Sequence, residues 1–237
     1  MRITYVVDFL DGQQLVIPLE LDQQSLALQL EVEAPPEWTR LEFEQCPNCP
    51  LDPDQHEHCP IAVKMSGALM VFNDYLSYEM VQVTIETAER RYQKKVALQD
   101  AISSLIGIIM ATSGCPVMDH LRPMVRTHLP FSSRTESVYR VISMYLMAQY
   151  FRKQKGLEPD WDLKHLVGLY DEIGKVNHAF SNRMFAQYEK DANINALVIL
   201  KYVGDLLTGT LQNNNLDNME SLFAPWLRDS GSDSTSP

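Results

Sequence analysis

The sequence predicts an α+β protein: a small N-terminal antiparallel β-sheet and a metal-binding cysteine loop, followed by a larger helical domain with a C-terminal helical hairpin. Three observations predict this class. Apolar and polar residues alternate near the N-terminus, apolar residues recur every three or four positions after Leu98, and each of the four cysteines precedes a proline. With 237 residues and 45% hydrophobic content, the chain can bury a core that does not depend on metal alone.

The N-terminal segment carries the strand pattern. Residues 3–19 contain two alternating stretches on either side of Asp11-Gly12, a dipeptide typical of a hairpin turn. Two more alternating stretches, residues 26–32 and 38–43, are separated by a stiff Ala-Pro-Pro sequence. We therefore expect residues 1–45 to form an antiparallel β module that leads into a metal-binding loop at residues 46–60.

Residues 61–212 predict a mainly helical domain. An apolar stripe follows Pro60, and an internal β-hairpin is expected at about residues 80–95. Ser133 and Glu136 have the spacing of a capping box, which predicts a helix that runs to about Lys155 and stops at Gly156.

Two further helices, at about residues 163–188 and 197–207, predict the C-terminal helical hairpin. The apolar faces of these two helices either pack against each other or bind a second copy of the chain; packing within one chain is the default expectation. Residues 213–228 combine a polar linker with an apolar segment, which either docks on the domain or serves as a peptide for a partner; docking is the expected arrangement. Residues 229–237 predict a disordered tail.

The cysteines are the clearest functional signal. Cys46, Cys49 and Cys59 have the spacing C-x2-C-x9-C, and Cys115 lies far downstream. Four thiols in a chain without an apparent export signal favour a metal site over disulfides. Because proline is favoured at the first position of a helix, Cys59 and Cys115 are expected at or near helix N-termini, where the helix dipole favours a thiolate.

The spacing leaves the identity of the metal open. Zinc sites with four cysteines commonly use two close pairs, whereas one pair and two solitary cysteines also suit a [4Fe–4S] cluster; zinc is the first expectation. His56 and His58 precede Cys59 and are alternative ligands, although histidines in such an acidic loop are more often simply solvated. The competing interpretation is that three cysteines bind nothing and Cys115 is a small buried apolar residue.

A second candidate site follows Cys115. Arg122, Arg126 and His128 are candidates for binding an anionic ligand or cofactor near the thiolates. The alternative, which we favour, is that the arginines pair with nearby carboxylates and hold helices together.

Charge and motifs limit the function classes. The net charge is −11, and residues 1–60 contain two arginines against twelve acidic residues, so we expect no nucleic-acid partner. No nucleotide-binding loop, serine-hydrolase motif or zinc-protease motif is present. The absence of a signal peptide or a long apolar run predicts a cytoplasmic protein without a membrane partner.

Several motifs in the chain resemble those of a bacterial family known only as a domain of unknown function. They are CPNCPL, CPIAV, MATSGCPVMDHLRPM, HLPF and SMYLMAQYF. The resemblance covers most of the chain and implies that the four cysteines are the defining feature of that family. It implies no activity and no partner.

Two functional classes follow from these patterns. The first is a cytoplasmic four-cysteine protein that acts as a regulatory or protein-interaction module, its site structural or sensing metal or redox state, with a protein partner or a second copy of the chain as its binding partner. The alternative is a [4Fe–4S] redox protein or enzyme with an anion-binding pocket near Arg122 and Arg126. The first is preferred, and an enzyme is not the leading expectation, because no general base, nucleophile or cofactor loop stands out.

Overall fold

The structure, a computed structural model, describes residues 1–72, 75–187, 195, 209 and 216–228. It has the predicted α+β character, with one four-stranded antiparallel sheet and helices packed against it. The strands are β1 (Arg2–Asp8), β2 (Gln14–Glu20), β3 (Met80–Glu86) and β4 (Arg91–Ala97). Their order in the sheet is β2-β1-β3-β4.

Both predicted hairpins form, and they join into the same sheet. β1 pairs with β2 and with β3, so that Tyr5 lies opposite Ile17 on one side and Ile85 on the other. The inward-facing residues of β1 and β3 are almost completely buried. The sheet is therefore not confined to residues 1–45, because its other half comes from the hairpin at residues 80–97.

The prediction of strands at residues 26–32 and 38–43 was wrong. Asp22 accepts hydrogen bonds from the backbone N–H groups of Gln24 and Ser25, and Leu26 turns the chain with a φ of +57°. Residues Glu37–Thr39 form a 3-10 turn after the two prolines. Local turns thus override the alternating pattern in both stretches.

The helices are α1 (Pro60–Leu69), α2 (Leu98–Thr112), α3 (Arg134–Gln154) and α4 (Lys164–Gln187). The capping box at the start of α3 is confirmed, since Ser133 and Glu136 make both reciprocal hydrogen bonds. A 3-10 segment, Met118–Thr127, lies between α2 and α3 and contains Pro123. The second arm of the predicted C-terminal hairpin and the tail at residues 229–237 lie outside the described residues.

The main core lies between the sheet, α1 and α2, and α4 adds Ile173, Val176, Phe180 and Met184. A second, smaller core joins α3 to the start of α4. Leu216 and Met219, the latter in a short helix at Asp217–Glu220, pack against this second core. None of the helices in the described part of the chain combines the length and apolar character needed to cross a membrane.

Candidate metal centre

The four cysteines come from three separate parts of the chain and pack against the same core, with Cys59 buried in it and Cys46, Cys49 and Cys115 partly buried against it. Cys46 and Cys49 belong to a turn in which the Cys49 N–H donates to the Cys46 carbonyl over 3.0 Å. Burial, together with the charges of Cys59, Cys49 and Cys115, raises the pKa of Cys46 to about 12. All four thiols are free of disulfides.

Cys59 occupies the predicted position at a helix start. It is the N-cap of α1, and Pro60 is the first residue of that helix. The side chain is buried, which raises the pKa of the Cys59 thiol, and the backbone N–H groups of Ala62 and Ile61 face the sulfur and offset part of this rise. The first turn of α1 therefore favours a thiolate, or a metal-bound thiolate, at this position.

Cys115 has a related but different setting. No α-helix begins at Pro116; the 3-10 segment starts two residues later, at Met118. Burial raises the pKa of the Cys115 thiol, and the backbone N–H groups of Met118 and Val117 work in the opposite direction. The prediction of a helix start was thus wrong in helix type and position, but backbone donors still face the sulfur.

An unpredicted residue, Arg183, lies beside these thiols. Its side chain is only 2% exposed, and its guanidinium donates to the carbonyl oxygens of Trp38 and Arg40 over 2.8 Å and to that of Leu41 over 3.1 Å. Burial lowers the pKa of Arg183, and the charges of Cys59, Cys46 and Cys49 offset part of this decrease. Arg183 comes from α4, so only the folded chain brings it to the cysteines.

The cysteine loop is also tied to α4 by Asn48. Its side-chain amide donates to the backbone oxygen of Glu172 over 3.0 Å and to its carboxylate over 2.7 Å. Since Asn48 lies between Cys46 and Cys49, this contact fixes the close pair against the helix that carries Arg183.

The histidines near Cys59 have other positions. His56 is exposed, whereas the Nδ1 atom of His58 lies 2.8 Å from the Thr39 hydroxyl. Within the residues that the structure describes, no three or more Cys, His, Asp or Glu side chains are arranged as a ready-made ligand set for a metal ion. The ligand assignment to Cys46, Cys49, Cys59 and Cys115 stays a prediction.

The second candidate site divides into two parts. Arg122 donates to the backbone oxygen of Ser25 and pairs with Asp119, and Arg126 donates to the backbone oxygen of Gln23 over 2.9 Å. His128 instead faces a cavity between α2 and α3, where its Nε2 lies 2.9 Å from the Tyr5 hydroxyl. Both arginines therefore hold the turn after β2, and their role in binding an anion stays a prediction.

One family model matches the chain over residues 3–224, and its description is "Domain of unknown function (DUF6901)". This range contains all four cysteines, Arg183 and the 3-10 segment. No curated protein and no solved structure matches the chain.

Proposed function

The chain belongs to the DUF6901 family of domains of unknown function, and from its own residues we propose that it is a four-cysteine metal-binding protein whose centre acts as a regulatory or protein-interaction switch. The ligands are Cys46, Cys49, Cys59 and Cys115. The observation that carries the proposal is the packing of all four cysteines, which come from three parts of the chain, against one core. Thiolates are the form that binds metal, and binding relieves their mutual repulsion.

The surroundings of the thiols support an anionic centre. Backbone N–H groups face the sulfurs of Cys59 and Cys115, and the buried guanidinium of Arg183 adds a positive charge. A centre with four thiolates and one divalent ion carries a net negative charge, so these donors and this cation offset it. Arg183 has no carboxylate within ion-pair distance in the described part of the chain.

The position of the centre supports a regulatory role. The thiols belong to the loop after the first hairpin, to the start of α1 and to the segment after α2, and Asn48 connects the loop to α4. Occupancy of such a centre determines whether these parts are held together. A change in metal or redox state therefore changes the surface that these parts present to a protein partner or to a second copy of the chain.

Zinc is the first proposed occupant, and a [4Fe–4S] cluster is the second. Zinc suits a structural site closed by four thiolates. The cluster is favoured by the cysteine spacing, with one close pair and two solitary residues, and by N–H groups near the sulfurs, which tune the potential of such clusters. With a cluster, the centre senses or carries electrons.

The direct test is anaerobic purification with elemental analysis and absorption spectroscopy. We expect about one zinc per chain in a colourless protein, or about four iron and four sulfide in a brown protein that absorbs near about 400 nm. Cys115→Ser should lose the metal and melt at a lower temperature. His56→Ala, an exposed change in the same loop region, is the matched control and should keep both properties.

Two outcomes oppose the proposal. A chain that holds neither zinc nor iron, and gains neither after anaerobic reconstitution, does not have this centre. Equal loss of metal in His56→Ala and Cys115→Ser shows that the ligands are assigned incorrectly.

A further inference from the structure

A cavity of about 480 Å³ lies between β4, α2, the 3-10 segment and α3. This volume falls in the range of small-molecule sites, about 300–1,000 Å³. Its lining includes apolar side chains such as Ile108, Leu121, Met124 and Phe131. An apolar wall of this kind holds the body of an organic ligand.

Arg140 provides a cationic group on the α3 side of the cavity. Its Nη2 donates to the carbonyl oxygens of Met124 and Thr127 over 3.0 and 3.1 Å, which fixes the guanidinium in place. No carboxylate in the described part of the chain lies within ion-pair distance of Arg140. A partly buried guanidinium without a counter-charge is stabilised by an anion that enters the cavity.

A second cation, Lys94, lies on the β4 side. Its ammonium is 5.6 Å from the centre of the Phe131 ring, and both residues line the cavity. Asp100 is the one acidic residue among the lining residues, so the two cations exceed the single carboxylate. The lining of the cavity therefore has a net positive charge, which favours an anionic ligand over a cationic one.

Hydroxyl and imidazole groups add polar contacts within the cavity. The Tyr5 hydroxyl lies 2.9 Å from both the Ser104 hydroxyl and the Nε2 of His128, which orients these two lining residues. Ser132 and Ser137, whose hydroxyls are 2.9 Å apart, also line the cavity. These fixed groups give the site polar partners in addition to charge.

We propose that this cavity binds a small organic anion, an apolar body that carries a carboxylate or a phosphate, with Arg140 and Lys94 on the acidic group. Ile108, Leu121 and Met124 surround the apolar body. Arg140 binds with the fixed, planar geometry that suits both types of acid. The site is separate from the cysteine centre and does not depend on the proposed function of that centre.

The test is fluorescence titration of the full chain with anilinonaphthalene sulfonate, an apolar aromatic anion, followed by displacement. We expect displacement by phenylacetate or by phenyl phosphate, and the stronger of the two identifies the acidic group. Phenylethanol and phenethylamine, which are neutral and cationic, should not displace the probe at the same concentrations. Displacement by either of them as effective as by the anions overturns the proposal.

Variants locate the binding. Arg140→Gln should weaken binding of the anion roughly tenfold, and Lys94→Gln should weaken it severalfold. Lys95→Gln is the matched control, because Lys95 is the next residue of the same strand, is exposed and does not line the cavity. Gly107→Leu fills the cavity from α2 and should abolish binding.

Circular dichroism and unfolding curves identify any variant that fails to fold. If Arg140→Gln does not fold, two variants still test the proposal: Lys94→Gln, which changes an exposed residue, and Gly107→Leu, which fills the cavity. Wild-type affinity for the anion in folded Lys94→Gln and Gly107→Leu proteins overturns the proposal.

Discussion

Arg183 combines the functions of a structural clamp and of a charge beside the thiols. Three backbone oxygens from Trp38, Arg40 and Leu41 accept its hydrogen bonds, and Phe43 lies below its guanidinium at 5.7 Å. The sequence pattern of α4 indicated an apolar face but gave no sign that an arginine lay within it. The burial of Arg183 could not be predicted from the sequence, because the carbonyl oxygens that accept its hydrogen bonds belong to residues more than 140 positions earlier in the chain.

We expect Arg183→Met to lower the free energy of unfolding by about 3 kcal/mol or more. The change leaves buried carbonyl oxygens without donors, and each unsatisfied group costs about 1–3 kcal/mol. Urea unfolding measures the loss. Lys175→Gln, which removes an exposed ion pair with Glu172 on the same helix, should stay near the wild-type value; a similar loss in both variants contradicts the role of Arg183.

His128 makes the stability of the chain depend on pH. Desolvation lowers the pKa of His128 to about 3, and the charge of Arg140 lowers it too. The folded state thus holds a neutral ring, while the unfolded chain takes up a proton below its ordinary pKa near 6.5. The contribution to stability is complete above that pKa and is lost as the pH falls towards the folded value.

In the wild-type protein, we expect His128 to reduce the free energy of unfolding by up to about 2 kcal/mol between pH 7 and pH 5. His128→Gln should remove this part of the pH dependence, since glutamine does not titrate. Urea unfolding of both proteins at the two pH values measures the difference. Parallel pH profiles would show that the pKa of His128 is the same in the folded and unfolded chains.

At the scale of elements, local residues determine where some helices start, and contacts with the rest of the fold determine where others do. The start of α3 was predictable because Ser133 and Glu136 bond reciprocally within one turn. The start of α1 was also predictable from local chemistry, because Pro60 has no backbone N–H that would need an acceptor at the first position of a helix. The segment after Cys115 was not, because a proline within it and contacts with the turn after β2 favour a 3-10 conformation.

The capping box gives a prediction at this scale. Ser133→Ala should lower the free energy of unfolding by about 1 kcal/mol, because the backbone N–H of Glu136 loses its side-chain acceptor. Thermal unfolding measures the effect. Thr135→Ala, an exposed change in the same turn, serves as the control and should lie much closer to wild type.

The C-terminal segment docks through only some of its apolar residues. Leu216 and Met219 contact the second core, and Phe223 stacks on Tyr139 with ring centres 6.4 Å apart. Trp226 is 86% exposed and does not dock. Composition predicted that this segment docks, but it did not indicate which side chains would do so, and Leu222, Trp226 and Leu227 are exposed.

We therefore expect Met219→Ala to destabilise the protein by about 1 kcal/mol, since it removes partly buried apolar area. Trp226→Ala should leave the melting temperature unchanged. Thermal unfolding of the two variants tests the assignment, and the reverse order of stability would show that Trp226 is the docking residue.

At the scale of the whole molecule, the sheet and the proposed cysteine centre join different parts of the chain. The four strands were predictable as two hairpins, yet their union in one sheet was not, because pairing between β1 and β3 leaves no local signature. The cysteine spacing predicted a common centre. It did not predict Arg183, which lies outside the motif, or the contact that Asn48, between Cys46 and Cys49, makes with Glu172.

Removal of the proposed metal should affect the sheet and the cysteine segments unequally. After unfolding with a chelator and refolding, we expect a lower melting temperature and faster amide exchange in residues 46–60 and 115–127. The paired strands should retain their protection, since their hydrogen bonds do not involve the thiols. Hydrogen exchange followed by mass spectrometry measures both regions; uniform acceleration across the sheet would show that the metal holds the entire fold.

The pairing of β1 with β3 also imposes an order on biosynthesis. Tyr5 and its partner Ile85 are about 80 positions apart, so the nascent chain cannot complete its sheet until β3 has left the ribosome. Cys46, Cys49 and Cys59 precede β3 in the sequence and emerge before it, whereas Cys115 and Arg183 follow it and emerge later. For part of its synthesis the chain thus presents three thiols without the fourth, and the proposed centre would close only late in biosynthesis.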